Sequence, residues 1–255
     1  MKLVDTHTHL YTEEFDSDRG TVIHKALENQ VDRMLLPNID SSSLEAMQLL
    51  VKTFPSHCFP MMGLHPTSVN DEYEQELKLV ADELSRNQYV GVGEIGVDLY
   101  WDKSFRSQQE DAFRRQLRFA KQYHLPVSIH TRDAFDVTFQ IVKEELTDDL
   151  KGVFHCFTGT VEEAKKIMDT GFKMGIGGVV TFKNSGLADV VKEIPLEELV
   201  LETDAPYLTP VPFRGKRNES SYIRFVAEKI AEVKEISFQE VADITTSTAE
   251  NLFFT

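Results

Sequence analysis

The sequence predicts an α/β fold, a single (β/α)8 TIM barrel, and three observations lead to this prediction. Eight short apolar runs with strand-forming residues are separated by longer stretches with helical patterns. Strand and helix alternating eight times is the pattern of a closed parallel barrel. Polar residues, above all histidines, follow the apolar runs, at the rim where barrels place their active sites. The competing architecture is a doubly wound open sheet, which shows the same alternation.

The elements follow one another in regular order. The predicted strands are 3–7, 33–38, 58–66, 89–96, 126–132, 152–159, 172–178 and 198–204. Amphipathic stretches such as 104–124 and 161–171 lie between them, and the second ends on Gly171, a helix-stop signal. A helical tail is expected from about Ser220 to Phe254. No linker, low-complexity segment or repeat divides the chain, so one domain is predicted over residues 1–255.

Composition and the first residues indicate in which cellular compartment the protein is expected. No apolar run approaches the ~18 residues that span a membrane, and the first residues, MKLVDTHTHL, lack the apolar core of a secretory signal. Two cysteines, Cys58 and Cys156, cannot form a disulfide framework. We therefore expect a cytoplasmic protein with no membrane contact, and no protein partner is predicted.

The net charge of −15 argues against a protein that coats nucleic acid by bulk attraction. It leaves open an enzyme acting on phosphate esters, because bound metal ions reverse the sign of the local field. A polyanionic substrate would therefore have to be bound locally.

Histidines are concentrated at the predicted strand ends. In VDTHTHL, His7 and His9 lie two residues apart, so they would point to the same face of a strand and could hold a metal ion, although a polar strand end explains the segment equally well. The residues that follow strands are His7, His9, His65, His130 and His155, together with Glu94 and Asp204. Converging imidazoles and carboxylates are stable around a cation, and such N and O donors prefer Zn, Mn, Mg or Fe.

Other chemistries find less support. His24, His57 and His124 fall in helices or at a strand start and are predicted to be structural or to face solvent. Cys156 and His155 are neighbours, and on a strand they would face opposite ways, so they do not form a nucleophile and base. Neither a G-x-S-x-G elbow nor a G-x-x-x-x-G-K-[ST] loop is present.

Seven motifs, in this order, resemble those of the TatD-like metal-dependent deoxyribonuclease family, within the amidohydrolase-like barrel superfamily. They are DTHTHL (5–10), GLHP (63–66), GEIGVD (93–98), LPVSIHTRDA (125–134), HCFTG (155–159), LETDAPYLTP (201–210) and RGKRNES (214–220). Together they cover nearly the whole chain. The sequence departs from the family pattern at Ser220, where proline is common, and at Leu99, where an aromatic residue is common.

The resemblance implies two divalent ions, Mg, Mn or Zn. One ion would be surrounded by His7, His9, Glu94 and Asp204, and Glu94 would bridge to a second ion held by His130 and His155. Asp204 is the candidate that orients the attacking water and takes its proton, with a purely ligating role as the alternative. His65 is expected to touch the substrate phosphate or the leaving group, with a structural role as the alternative.

The implied activity is hydrolysis of DNA by a metal-activated water, as an exonuclease on single-stranded or frayed ends. Basic residues at or beyond the strand ends could grip phosphates, or could be solvated loop charges: Arg132, Lys183, Arg214 and Arg217. Tyr100, Trp101 and Phe182 could stack on unpaired bases or form a lid. An amidohydrolase or lactonase of a small molecule with the same dinuclear site is the main alternative, and a non-catalytic barrel is the third.

Overall fold

Eight parallel strands form one barrel in the computed structural model, which describes residues 2–86 and 88–254. The strands are β1 (Leu3–Asp5), β2 (Val31–Pro37), β3 (Cys58–Met62), β4 (Gly91–Asp98), β5 (Val127–Arg132), β6 (Gly152–Phe154), β7 (Lys173–Ile176) and β8 (Leu199–Leu201). Each pairs with the next in sequence. The ring closes where the Thr6 N–H donates to the Leu201 carbonyl at 3.0 Å and Thr8 bridges to Ala205. The prediction of a TIM barrel is confirmed, and the open-sheet alternative is not adopted.

Helices alternate with the strands and cover the outside of the barrel. They are α1 (Arg19–Glu28), α2 (Leu44–Thr53), α3 (Tyr73–Leu84), α4 (Arg106–Tyr123), α5 (Phe135–Glu145), α6 (Val161–Met168), α7 (Leu187–Glu193), α8 (Ile223–Lys234) and α9 (Phe238–Phe253). The predicted helical tail is thus two helices. Gly171, the predicted stop signal after α6, adopts a left-handed φ of 79°. No helix among the described residues has both the length and the apolar character needed to cross a bilayer.

The last helix closes the amino end of the barrel. Val4, Leu35, Met61, Val153 and Val200, one from each of five strands, form a buried interior cluster, and the last turns of α9 add to it. The α9 residues in this cluster are Ala249, Leu252 and Phe253. The Thr246 hydroxyl of the same helix donates to the Lys2 carbonyl just before β1, at 2.8 Å. Since α9 covers the amino ends of the strands, the carboxyl ends remain available for a site.

Candidate metal centre

One buried carboxylate, that of Glu94 on β4, lies at the centre of the polar rim. Only 2% of Glu94 is exposed. Its Oε1 lies 2.8 Å from His130 Nδ1, 2.8 Å from His155 Nε2 and 3.2 Å from His65 Nε2. Its Oε2 lies 3.1 Å from His7 Nε2 and 3.5 Å from His9 Nε2. All five histidines that the sequence places after strands therefore meet at the two oxygens of one carboxylate.

Asp204 completes the cluster from the end of β8. Its Oδ1 lies 3.9 Å from His7 Nε2 and 3.7 Å from His9 Nε2. Its backbone N–H donates to the His7 carbonyl at 2.9 Å, in a left-handed conformation with φ 54°. Closure of the barrel between β1 and β8 thus brings the carboxylate to the two imidazoles.

All five histidines have a polar group near the ring nitrogen that faces away from Glu94. His65 Nδ1 contacts the N–H and hydroxyl of Thr67, at 3.1 and 2.6 Å. His7 Nδ1 is hydrogen-bonded to Ser128 Oγ (3.1 Å), His9 Nδ1 to the Tyr11 hydroxyl (2.9 Å) and His130 Nε2 to Asp98 Oδ2 (2.9 Å). His155 Nδ1 lies 3.5 Å from Glu202 Oε1 and has no hydrogen-bond partner among the described residues. Partners of this kind fix the ring orientation and increase the basicity of a metal-ligating histidine.

Four of these partners, Ser128, Tyr11, Asp98 and Glu202, were not predicted from the sequence, although strand periodicity contains the signal for two of them. Side chains two or four residues apart on a strand share a face. Ser128 precedes His130 by two residues on β5, and Asp98 follows Glu94 by four on β4. Tyr11 and Glu202 lie beyond the ends of β1 and β8, where this rule does not apply. A search for polar residues at even offsets from the predicted ligands on strands would have found Ser128 and Asp98.

Glu202 is an unusual carboxylate because it is fully buried and only partly satisfied. Its Oε1 accepts a hydrogen bond from the Cys156 N–H at 2.5 Å, whereas Oε2 has no hydrogen-bond partner among the described residues. The carboxylate lies against Gly175, where an added Cβ would come within 2.0 Å of Oε2. The glycine at this position makes room for the carboxyl group of Glu202 beside His155.

The electrostatics of the cluster favour proton sharing between imidazoles and carboxylates. Burial opposes ionisation of Glu94, but the surrounding imidazoles of His65, His155, His7 and His130 together outweigh it and hold the Glu94 pKa well below its usual range. Burial likewise opposes protonation of His155, yet Glu94 and Glu202 raise its pKa well above the usual value. Burial raises the pKa of Asp204 to about 6.

The donor set fits a metal site. His7 Nε2 and His9 Nε2 face each other at 3.2 Å, as do His155 Nε2 and His130 Nδ1 at 3.4 Å. Two neutral imidazoles cannot both present lone pairs to each other at this distance without a cation or a proton between them. Three groups of donor atoms within 4.8 Å of one another could each hold an ion: His7–His155–Asp204, His7–His9–Glu94 and His65–Glu94–His130.

The cluster opens into a cleft of about 840 Å³ at the carboxyl ends of the strands. Arg132 and Trp101 line one side of it and Tyr207 lies in the lining as well. The Arg132 guanidinium is 3.8 Å from the centroid of the Tyr100 ring and 5.4 Å from that of Trp101. Trp101 is 69% exposed, so a cationic and aromatic edge borders the cleft.

The other predicted basic residues lie outside this lining. Lys183 is exposed, on the loop that follows β7. Arg214 is exposed and packs its guanidinium 3.8 Å from the Phe182 ring centroid, so one face of that predicted stacking residue is covered. Arg217 forms two hydrogen bonds to the carboxylate of Asp18, at 2.9 and 2.7 Å. The three basic side chains are therefore at the rim or beyond it, and their contact with substrate stays a prediction.

The three histidines that were predicted to be structural or to face solvent lie away from the cluster. His24 Nδ1 donates to the Gly20 carbonyl within α1 at 2.6 Å, and His57 Nδ1 donates to the Asp32 carbonyl at 2.8 Å. His124 ends α4 in a left-handed conformation. All three positions suit structural roles.

Comparison with known proteins agrees with this geometry. The family model described as "TatD related DNase" matches residues 4–254. The chain belongs to this TatD-related family. The prediction of a metal-dependent hydrolase acting on ester bonds is thereby confirmed.

Sequence relatives and a solved structure match this TatD-family protein over nearly its whole length. An uncharacterized metal-dependent hydrolase, YabD of Bacillus subtilis (strain 168), is 42% identical over 98% of both chains. A Rahnella protein named "3'-5' ssDNA/RNA exonuclease TatD" is 33% identical over 96% of this chain and 95% of its own. The crystal structure of YjjV, a TatD homolog from Escherichia coli K12, superposes with a TM-score of 0.93 at 28% identity, over 99% of this chain and 98% of that one.

Proposed function

We propose that this TatD-family hydrolase cleaves phosphodiester bonds of DNA with two divalent ions, removing nucleotides from single-stranded or frayed ends. The observation that carries the proposal is the position of Glu94, whose two carboxylate oxygens face two different groups of imidazole nitrogens. A carboxylate shared in this way suits a bridge between two ions, and two-metal sites are typical of enzymes that cleave phosphate esters.

The residues divide into two proposed ion sites. His7, His9, Glu94 and Asp204 would hold one ion, and Glu94, His130 and His155 the second. Mg, Mn and Zn all accept such nitrogen and oxygen donors. When bound, the ions polarise the phosphoryl oxygens and lower the pKa of water.

Asp204 is the proposed proton acceptor for the attacking water. Its Oδ1 lies on the side of His7 and His9, and 15% of its side chain is exposed to the cleft. Burial raises the Asp204 pKa to about 6, and a base with a pKa near the working pH combines availability with driving force. The same carboxylate can both bind an ion and orient water, so the two roles do not require separate residues.

The cleft suits a nucleic-acid end better than a compact small molecule. Arg132 brings a guanidinium to the lining of a chain with a net charge of −15, which places positive charge where a phosphate would bind. Trp101 and Tyr207, each at least half exposed, offer ring faces for unpaired bases. The exonuclease name of the Rahnella relative supports the same substrate class.

The proposal is tested with purified protein loaded with Mn²⁺, Mg²⁺ or Zn²⁺. We expect chelator-sensitive shortening of labelled single-stranded oligonucleotides, faster than that of blunt duplexes. Glu94→Gln and Asp204→Asn should abolish it, with folding checked by circular dichroism. Faster turnover of lactones or cyclic amides than of oligonucleotides would favour the small-molecule alternative. Unchanged turnover in Asp204→Asn would remove Asp204 from the chemistry.

A further inference from the structure

We propose that His65 is a hydrogen-bond donor to the substrate and not a metal ligand, although it lies among the ligands. Its Nε2 is 3.2 Å from Glu94 Oε1, a distance close to those of the other imidazoles. Distance to Glu94 therefore does not separate His65 from them. What distinguishes His65 from the other histidines is the contact of its opposite ring nitrogen, Nδ1. The inference rests on the proposed function, because the group that accepts the hydrogen bond from His65 would be a phosphodiester oxygen of the substrate.

The Nδ1 atom of His65 is an acceptor. The backbone N–H of Thr67 donates to it at 3.1 Å, in the turn that begins at Pro66. The Thr67 hydroxyl lies 2.6 Å from the same atom. A backbone N–H cannot become an acceptor, so Nδ1 must present its lone pair to it. In a neutral imidazole the single hydrogen then resides on Nε2, which points at the metal centre.

His9 has the opposite arrangement. The Tyr11 hydroxyl donates to the Pro37 carbonyl at 2.5 Å, so its oxygen accepts the hydrogen of His9 Nδ1, 2.9 Å away. His9 Nε2 is therefore bare, and it is the atom that faces Glu94.

His130 reaches the same result with the ring reversed. Its Nε2 donates to the Asp98 carboxylate at 2.9 Å, and its Nδ1 forms a hydrogen bond of 2.8 Å with Glu94 Oε1. When the ring is neutral, its one hydrogen stays on Nε2 against Asp98, and Nδ1 is free to bind a metal ion. Neutral His9 and neutral His130 can therefore each present a lone pair to the centre, whereas neutral His65 presents an N–H group.

Ligation of a metal by neutral His65 would need its hydrogen on Nδ1, directly against the Thr67 N–H. The fixed tautomer instead supplies a donor inside the cleft that also contains Arg132. Without substrate Nε2 lies 3.2 Å from Glu94 Oε1. With substrate present it is placed to bond to an unesterified oxygen of the scissile phosphate, as donors that stabilise developing charge do in other hydrolases.

The tautomer can be measured without turnover. Long-range ¹H–¹⁵N correlation spectra of metal-free protein at about pH 8, where ordinary histidines are neutral, should show His65 with its hydrogen on Nε2 and His9 with its hydrogen on Nδ1. The signals are assigned by comparison with His65→Gln and His9→Gln. A hydrogen on Nδ1 of His65 would overturn the inference.

Metal binding gives a second readout. His65→Ala should bind Mn²⁺ with the stoichiometry of the unaltered protein, as measured by titration calorimetry and elemental analysis. The matched variant His130→Ala should lose bound Mn²⁺. Loss of an ion from His65→Ala, with its circular dichroism unchanged, would identify His65 as a ligand and reject the proposal.

Turnover separates this inference from the proposed function. With bis(p-nitrophenyl) phosphate, His65→Ala should lower kcat/KM by on the order of 10²-fold, the usual effect of removing one such donor. His65→Gln, whose amide can donate, should recover part of the loss. If the unaltered protein cleaves no phosphodiester, the proposed function fails, while the tautomer and metal measurements still decide whether His65 is a ligand. Full activity of His65→Ala would reject the donor role alone.

Discussion

Asp98 Oδ2 lies 2.9 Å from His130 Nε2, the ring nitrogen that faces away from Glu94. The other oxygen, Oδ1, accepts hydrogen bonds from the backbone N–H groups of Tyr100 and Trp101, at 2.9 and 3.2 Å. One carboxylate thus orients a proposed metal ligand and shapes the aromatic edge of the cleft. This link explains how the end of β4 can serve both the ions and the substrate.

We predict that Asp98→Asn weakens Mn²⁺ binding by about 10- to 100-fold, because the partner of a ligating histidine controls its orientation and basicity. Titration calorimetry measures the affinity. Asp102→Asn is the matched control, since Asp102 is exposed on the same loop and its oxygen bonds to the Ser104 N–H. Equal affinity in Asp98→Asn and the unaltered protein would show that His130 does not depend on this contact.

Removal of metal should destabilise the protein, because ions that bind only the folded chain stabilise it by mass action. At a metal concentration 100 times the Kd, the expected rise in Tm is roughly 5–10 °C for a chain of this size. Differential scanning calorimetry before and after chelation measures it. In Glu94→Gln the two scans should coincide, since the central carboxylate is lost. If chelation does not change the Tm of the unaltered protein, the proposed metal sites are wrong.

Trp101 is predicted to contribute to binding of unpaired bases. Trp101→Ala should raise KM for single-stranded oligonucleotides about tenfold, because base stacking on an aromatic ring contributes ~1–3 kcal/mol per base. Trp101→Phe should retain much of the affinity. Leu49→Ala is the control, since Leu49 is also largely exposed but lies on α2. An unchanged KM in Trp101→Ala would leave the aromatic edge without a role in binding.

The order of strands and the gathering of donors were predictable because both follow local rules. Apolar runs mark β1 to β8, and a parallel barrel must bring the residues after them to one rim. His7 and His155 are on the rim for this reason alone. The division of the predicted helical tail into α8 and α9 was harder to predict from the sequence. The position of α9 under the strands depends on which apolar surfaces remain exposed after the barrel closes.

Contacts that join distant segments could not be predicted from the sequence. The residues next to Arg217 in the sequence do not indicate that it forms an ion pair with Asp18, which lies far away along the chain. The tautomer of His65 depends on the backbone of Thr67, and local sequence does not specify that geometry. The approach of Glu202 to His155 requires β7, with Gly175, to lie between their strands. Residue type and spacing therefore predict which groups are present, and tertiary closure decides their partners.

Arg217 gives a direct choice between a structural and a substrate role. Its guanidinium pairs with both oxygens of Asp18 and lies 4.4 Å from the Phe15 ring centroid. We expect Arg217→Ala and Asp18→Ala each to lower the free energy of unfolding by about 0.5–1 kcal/mol, and the double variant to lose less than the sum. Urea denaturation measures this. If Arg217→Ala lowers kcat/KM for oligonucleotides and Asp18→Ala does not, Arg217 contacts the substrate, as the sequence predicted.

Glu145, at the end of α5, should make stability depend on pH. Arg118 and Lys121 of α4 contact its carboxylate at 2.6 and 2.8 Å. The hydrogen bond from Arg118, which outweighs the effect of burial, and that from Lys121 lower the Glu145 pKa from 4.5 to about 2. A carboxyl with a lowered folded-state pKa stabilises the protein above its unfolded pKa, and this contribution disappears as the pH falls towards the folded value.

The matched variant Glu145→Gln keeps the shape of the side chain and removes its charge. At about pH 6 we expect it to lower the free energy of unfolding by about 1–2 kcal/mol, less than the full shift implies because the Arg118 side chain is largely solvated. Between about pH 4.5 and pH 2 the difference from the unaltered protein should shrink towards zero, because the native carboxyl then becomes protonated as well. Urea unfolding at several pH values measures the difference. A difference that stays constant down to acid pH would show that the charge of Glu145 does not stabilise the packing of α4 against α5.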